Sequence, residues 1–293
     1  NKMFDDERIS AVSFVGSTDV ARQIYTNSTK NGKRCQALGG AKNHALVLSD
    51  AKISQAIDQL ISAAFGSSGQ RCMALSVVMV EKKIKQPFMD NLITKVKSLK
   101  VGFQKLESNS YGPLVSDDHL NNVQNYIKLA EEEGSKIILD GREINDRRNN
   151  EKKGYFLGPT LIDSVKPNMK SYLNEIFGPV LQIIEIDDVE EGIQIINKNS
   201  FGNGCCIFTE NGNNAREFSE KVDIGMVGVN IPLPVPSSFH SFGGWKNSLF
   251  GDLNIYGPDG LRFYTRRKTI TQRWFGSNDL SEINLSMPSN QKN

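Results

Sequence analysis

The chain has 293 residues, 38% of them hydrophobic, with 35 basic against 33 acidic side chains and a net charge of +2. That length supports one large domain or two smaller ones, and a near-balance of charge without long blocks of either sign argues against a nucleic-acid or membrane surface. No run approaches the roughly 18 apolar residues that cross a bilayer, and the opening NKMFDDERIS lacks the pattern of a signal peptide. The expected setting is cytoplasmic, or the mitochondrial matrix in a eukaryote, with small molecules and copies of the chain itself as partners. Cys35, Cys72, Cys205 and Cys206 form no CxxC pair and no ligand spacing with histidine, so a reduced compartment without a metal site is expected.

In chain order, short β-rich runs alternate with amphipathic helices, the mark of an α/β sheet covered by helices. AVSFVGS predicts a strand and Asp19 to about Ser28 a helix. HALVLSD predicts the next strand, followed by a helix whose apolar face carries Ile53, Ile57, Leu60 and Ala64. LSVVMVE leads to a helix with Phe88, Leu92, Val96 and Leu99 at near-helical spacing. Leu120, Val123, Ile127 and Ala130 mark a helix closed by Gly134, and KIILDG supplies a strand. After the charged loop DRRNNEKKGY come the strand GPVLQIIEI, a helix near Val189 to Asn197, the strand CCIFTE, a helix from about Asn213 to Val222, and GMVGVNI. The tail after Trp274 is polar and expected to be poorly ordered.

Three stretches could carry chemistry. In FVGSTDVAR a strand ends at Val15, Gly16 allows a tight turn, and Ser17 or Thr18 can cap the next helix, whose start offers N–H groups to a phosphate. Many strand-turn-helix units share this turn and bind nothing. In GSSGQRCMALS, Cys72 follows Arg71 directly. A thiol in a cleft near positive charge is a nucleophile, whereas burial habit alone makes such a cysteine a small hydrophobe. In NEIFGPV, Glu175 could accept hydrogen bonds from sugar hydroxyls and Phe177 could lie against a planar ring, although an acidic turn before a strand is the plainer reading. Cys35, Cys205 and Cys206 lie in strand-like runs, and His44, His119 and His240 have no partner spacing that marks a metal or a triad.

Taken in order, FVGSTDVAR, LGGAKNHALVLSDA, GQRCMALS, NEIFGPVLQ and FGGWKNS resemble the aldehyde dehydrogenase superfamily. The resemblance implies that Cys72 is the catalytic nucleophile, that Gly16 and Ser17 meet the pyrophosphate of NAD, and that Glu175 and Phe177 flank its nicotinamide ribose. It also implies a fold in three parts: residues 1–39 ending a Rossmann-type cofactor domain, 40–247 a catalytic domain, and 248–262 a return segment. Residues 263–274, FYTRRKTITQRW, would then be a strand of a homo-oligomer sheet, followed by the tail 275–293. The chain is expected to be the C-terminal portion of a longer enzyme, so that alone it would bind NAD poorly. One departure stands out. Where most members carry a glutamate in ELGGK, this chain reads QALGGAKN, with Ala37 at the acid's position. That acid activates water against the enzyme thioester. Without it a thiol acceptor, with a pKa of about 8.5, is favoured over water. The chain accordingly resembles the CoA-acylating, methylmalonate-semialdehyde dehydrogenase branch, which shares the blocks AKNH and GQRCMALS, with coenzyme A as co-substrate. Arg71 is the candidate for the substrate carboxylate. The alternatives are a hydrolytic aldehyde dehydrogenase with another base, and a non-catalytic subunit that keeps the fold.

Overall fold

The alternating segments fold into two main sheets in a computed structural model that describes residues 2–103, 109–143, 154–272 and 274. After a short helix α1 (Lys2–Asp5), strand β1 (Ala11–Val15), helix α2 (Thr18–Lys30) and strand β2 (Arg34–Leu38) form a parallel β-α-β unit. Strand β12 (Leu249–Phe250) returns to pair antiparallel with β2, giving the order β1-β2-β12. Val12, Ala21, Cys35 and Ala37 make the small core between this sheet and α2.

The larger sheet contains β3 (Asn43–Val47), β4 (Leu75–Glu81), β5 (Lys136–Leu139), β6 (Thr160–Asp163), β7 (Val180–Ile186), β9 (Gly204–Phe208) and β10 (Met226–Val229). Their order is β10-β9-β3-β4-β7-β6-β5, and all neighbours are parallel except β5 and β6. Every residue of β3 and β9 is buried, because helices cover both faces of the sheet. Alternate side chains sort to the two sides. Ala45, Val47, Val78 and Val80 pack under α3 (Ile53–Phe65) and α4 (Lys85–Lys97), against Ile57, Leu60, Phe88 and Leu92. Leu46, Val77 and Met79 pack on the other side, with Val123 and Ile127 of α5 (Asp117–Glu132), Ile193 of α7 (Val189–Lys198) and Phe218 of α8 (Gly212–Lys221). Each such fully buried aliphatic or aromatic side chain contributes roughly 1.5–3 kcal/mol. No helix among the described residues is long and apolar enough to cross a membrane.

The chain crosses between the sheets twice, at residues 39–42 and again just before β12. Ser248 joins both crossings. Its Oγ donates to Gly40 O at 2.7 Å and accepts from Gly202 N at 3.1 Å, while its carbonyl accepts from Gly39 N at 3.1 Å.

One expectation changes. Phe263 and Tyr264 close helix α9 (Pro258–Tyr264), whose Pro258 is preset for a first helical turn, so they do not open a strand. Residues 265–272 pair with no other strand among the described residues of this chain. The first eight residues of the charged loop, 146–153, and the tail 275–293 lie outside the described residues.

Candidate active site

The path to Cys72 begins where α3 ends. Ser67, Ser68 and Gly69 follow with φ of 54°, 58° and 67°, three successive left-handed residues. For a serine this backbone costs about 1–2 kcal/mol, and local bonds hold it in place. Ser68 Oγ donates to Gly112 O at 2.7 Å, and Gln70 N donates to Ser67 O at 3.0 Å. Gly69 is required at its place, because a Cβ there would run into the carbonyl of Gly178. A Gly69→Ala chain is therefore expected to lose about 3 kcal/mol of stability, read from its denaturant midpoint. An unchanged midpoint would show that the turn has slack.

Residues 71–74 then form a turn, closed by Ala74 N donating to Arg71 O at 3.0 Å, and Cys72 sits within it rather than on the strand. The Cys72 carbonyl accepts two side-chain amides, Asn43 Nδ2 and Asn203 Nδ2, each at 2.9 Å. Asn43 also donates to Ala74 O at 2.9 Å and accepts from Gly204 N at 3.0 Å. Residues entering β3 and β9 thus clamp the Cys72 backbone. Cys72 is exposed, while Cys35, Cys205 and Cys206 are buried. Its thiol is pushed above the ordinary range by the desolvation of its surroundings. The main-chain N–H groups of Met73 and Cys72 oppose that, and the negative charge of Glu175 adds to it. The Arg71 guanidinium turns back instead, with Nε donating to Ser67 Oγ at 3.0 Å, and lines a small pocket beside the thiol with Asn43 and Glu175.

A cleft of about 380 Å³ opens from Cys72 toward the small sheet, with Val15, Gly16 and Ser17 on one wall and Glu175 and Phe177 on the other. Ser17 precedes α2 with extended backbone, and its side chain makes no capping bond. Thr18 Oγ1 is engaged by Gly40 N at 2.9 Å. The first N–H groups of a helix of 13 residues therefore lie uncapped by Ser17 at the cleft wall. Glu175 Oε1 accepts from Ala41 N at 2.9 Å, and burial raises its pKa against that bond and the nearby Lys42 ammonium. Phe177 has φ of 57° and is 39% exposed, and His119 Nε2 bonds its carbonyl at 2.8 Å. A helix start for phosphate, a carboxylate for ribose hydroxyls and an exposed ring for a planar base fit a dinucleotide.

Of the expected residues, Cys72, Gly16, Ser17, Glu175 and Phe177 line this one cleft, and Arg71 lines the adjoining pocket. Ala37 is buried in the core with Val12 and Ala21, and neither it nor Leu38 beside it supplies an acid. Glu175 is the carboxylate among the described residues that line the cleft. His119, Asn43 and Asn203 were not anticipated. The spacing of His119 marks no metal or triad, and Asn203 meets Cys72 from 131 positions away.

A family model for the aldehyde dehydrogenase family matches residues 1–270. The malonate-semialdehyde dehydrogenase of Pseudomonas aeruginosa is 49% identical over 269 residues, covering 91% of this chain and 53% of that protein. That of Bacillus cereus is 46% identical, covering 94% of this chain and 56% of that protein. The chain spans about half the length of these relatives. Among solved structures, the crystal structure of methylmalonate-semialdehyde dehydrogenase from Oceanimonas doudoroffii matches with a TM-score of 0.91 and 50% identity, over 94% of this chain and 56% of that one. A Sinorhizobium meliloti protein described as a methylmalonate-semialdehyde dehydrogenase, in complex with NAD, matches with a TM-score of 0.91 and 43% identity, over the same shares.

Proposed function

The chain belongs to the aldehyde dehydrogenase family, and from that premise we propose that it serves NAD-dependent oxidation of malonate or methylmalonate semialdehyde, with the acyl group passed from Cys72 to coenzyme A. The observation that carries this reading is the exposed Cys72 thiol at the floor of the cleft, with its backbone clamped and Glu175 beside it. The names of the relatives support the substrate class.

In this reading the Cys72 thiolate adds to the aldehyde carbon, forming a C–S bond as the carbonyl electron pair moves to oxygen. The Cys72 N–H is the donor at hand for that oxyanion. Ser17 and the start of α2 would hold the cofactor's pyrophosphate, and Glu175 and Phe177 its nicotinamide riboside. NAD, when bound, supplies the hydride acceptor. Cys72 then holds the acyl group as a thioester. With Ala37 and Leu38 apolar at the end of β2, no acid from that strand activates water against it. The substrate carboxylate lies β to the thioester carbonyl, so its C–C bond breaks with loss of carbon dioxide, which hydrates to the one-carbon acid; the electron pair passes into the thioester enolate and a solvent proton takes the carboxylate's place. A coenzyme A thiolate then attacks the thioester carbonyl and Cys72 Sγ leaves as thiolate, giving acetyl- or propionyl-CoA. Arg71 would face the substrate carboxylate from the adjoining pocket. Self-association through residues 265–274, where Ile270 and Trp274 are exposed, completes the proposal.

The test is a rapid-mixing measurement of NADH. Mixed with semialdehyde and with NAD at a concentration high enough to offset the weak binding expected of this chain alone, the protein is expected to release about one equivalent of NADH per Cys72 and then stall until coenzyme A is added. Free acid formed at full rate without coenzyme A would replace acyl transfer with hydrolysis. One observation favours that second reading, namely that Glu175 shares the cleft with Cys72 and has a raised pKa suited to a base.

A further inference from the structure

Lys42 is a buried charge that the proposed reaction leaves unused. It is 1% exposed and lies where the chain first crosses between the sheets. Its Nζ donates to Ser171 O at 3.1 Å and to Asn174 O at 2.9 Å. Both carbonyls belong to the segment that ends the short helix α6 (Lys170–Leu173) and leads directly into Glu175. The preceding residue, Ala41, gives its N–H to Glu175 Oε1 at 2.9 Å. One step further back, Gly40 leaves room for the same carboxylate, since a Cβ there would stand 2.5 Å from Oε2. Three consecutive residues thus seat one acid, by space, by N–H and by ammonium.

Burying an ammonium is costly, and desolvation lowers Lys42 to about 7, opposed by the negative charge of Glu175. The other titratable groups around it are neutral near pH 7. Burial holds His44 down to about 3, and Tyr172, whose ring centroid is 5.9 Å from Nζ, is pushed up to about 12. Lys246 bears on this cluster through its field on His44, while its Nζ donates to the Asn199 carbonyl at 3.2 Å. Glu175 is therefore the charge that answers Lys42. A methionine would fill the same space without the desolvation cost, which leaves the two carbonyls and the carboxylate as what the ammonium serves.

We propose that Lys42 is a positioning residue, whose ammonium binds the carbonyls of Ser171 and Asn174 so that the Glu175 carboxylate stands on the cleft beside Cys72. This rests on the proposed role of that cleft, but its test needs no turnover. Because the charge of Glu175 acts on the Cys72 thiol, the pH profile of Cys72 alkylation by iodoacetamide reports where the carboxylate stands. The other three cysteines are buried, so mass spectrometry of the labelled peptides isolates Cys72 and reveals any unfolded variant by labelling of all four.

Glu175→Gln is expected to move the profile to lower pH, and Lys42→Met to change the neutral-pH rate by about threefold or more. In the Glu175→Gln background, Lys42→Met is expected to add nothing, since it acts through that carboxylate. Additive effects, or no change from either single substitution, would overturn the proposal. Should Lys42→Met unfold the chain, Lys42→Gln takes its place. Unfolding of both would assign Lys42 to the fold and equally overturn it. A failed dehydrogenase reading would instead show as no NADH from the unaltered protein, a result the alkylation profiles do not depend on.

Discussion

Replacing Cys72 with alanine is expected to lower semialdehyde oxidation by about 10⁴-fold or more, with the denaturant midpoint unchanged. The size follows from the covalent step. Without Sγ no C–S bond forms, and no neighbouring group can take over. Cys205 and Cys206 lie inside β9, where burial pushes their thiols far up, and Cys35 lies in the small core. Serine should not rescue the loss, because a hydroxyl lacks the thiolate's nucleophilicity near neutral pH. Stability should hold because the clamp from Asn43 and Asn203 reaches the Cys72 carbonyl, not its side chain. NADH formation measures the loss, and intact-mass spectra should show an acyl adduct on the unaltered protein in the absence of coenzyme A. More than a tenth of the activity in Cys72→Ala would remove Cys72 from the reaction.

The second large effect concerns acid. His44 is fully buried, bonds Tyr172 Oη at 2.8 Å and is held down to about 3 from the ordinary 6.5. In the unfolded chain it takes up a proton below pH 6.5, while in the folded chain it stays neutral until about pH 3. The unfolded state therefore binds the extra proton throughout this window, and stability falls as pH falls. At about 1.4 kcal/mol per pH unit, the loss between pH 7 and pH 4 from this residue is about 3 kcal/mol. Carboxylates with lowered pKa, such as Glu81, Glu133 and Asp140, add to acid sensitivity in the same direction. The contribution of His44 is thus isolated by comparison with His44→Gln. Urea midpoints for the two proteins, measured from pH 7 to pH 4, should converge as the pH drops. Parallel curves would mean that the histidine is protonated in the fold.

Much of the architecture could be read from periodicity, and the limits are physical. The helices over Ile53–Phe65 and Asp117–Glu132 announce themselves because one face is apolar at helical spacing. β4 and β7 read as mostly apolar runs, broken at Ser76, Gln182 and Glu185, because both faces are largely covered. Strands β12, β11 (Trp245–Lys246) and β8 (Phe201–Gly202) are two residues long and carry no period at all. At the site, Cys72 was reached through its company of ordered blocks rather than from its own surroundings. The left-handed Ser67 and Ser68 could not be anticipated, since serine carries no signal for positive φ. Arg71 shows how little adjacency alone fixes: its Nε donates to Ser67 Oγ, and the same side chain lines the small pocket beside Cys72.

The two walls of the cleft belong to different sheets: Gly16 and Ser17 follow β1 of the small one, whereas Glu175 and Phe177 precede β7 of the large one. What sets the gap between them is covalent and hydrogen-bonded lacing at the crossings, with Ser248 as the knot. Its hydroxyl spends both its proton and a lone pair, on Gly40 O and Gly202 N, and its carbonyl takes Gly39 N. The aperture is gauged from behind, by a serine that lines neither wall, so the cleft can hold its width without any contact across its mouth.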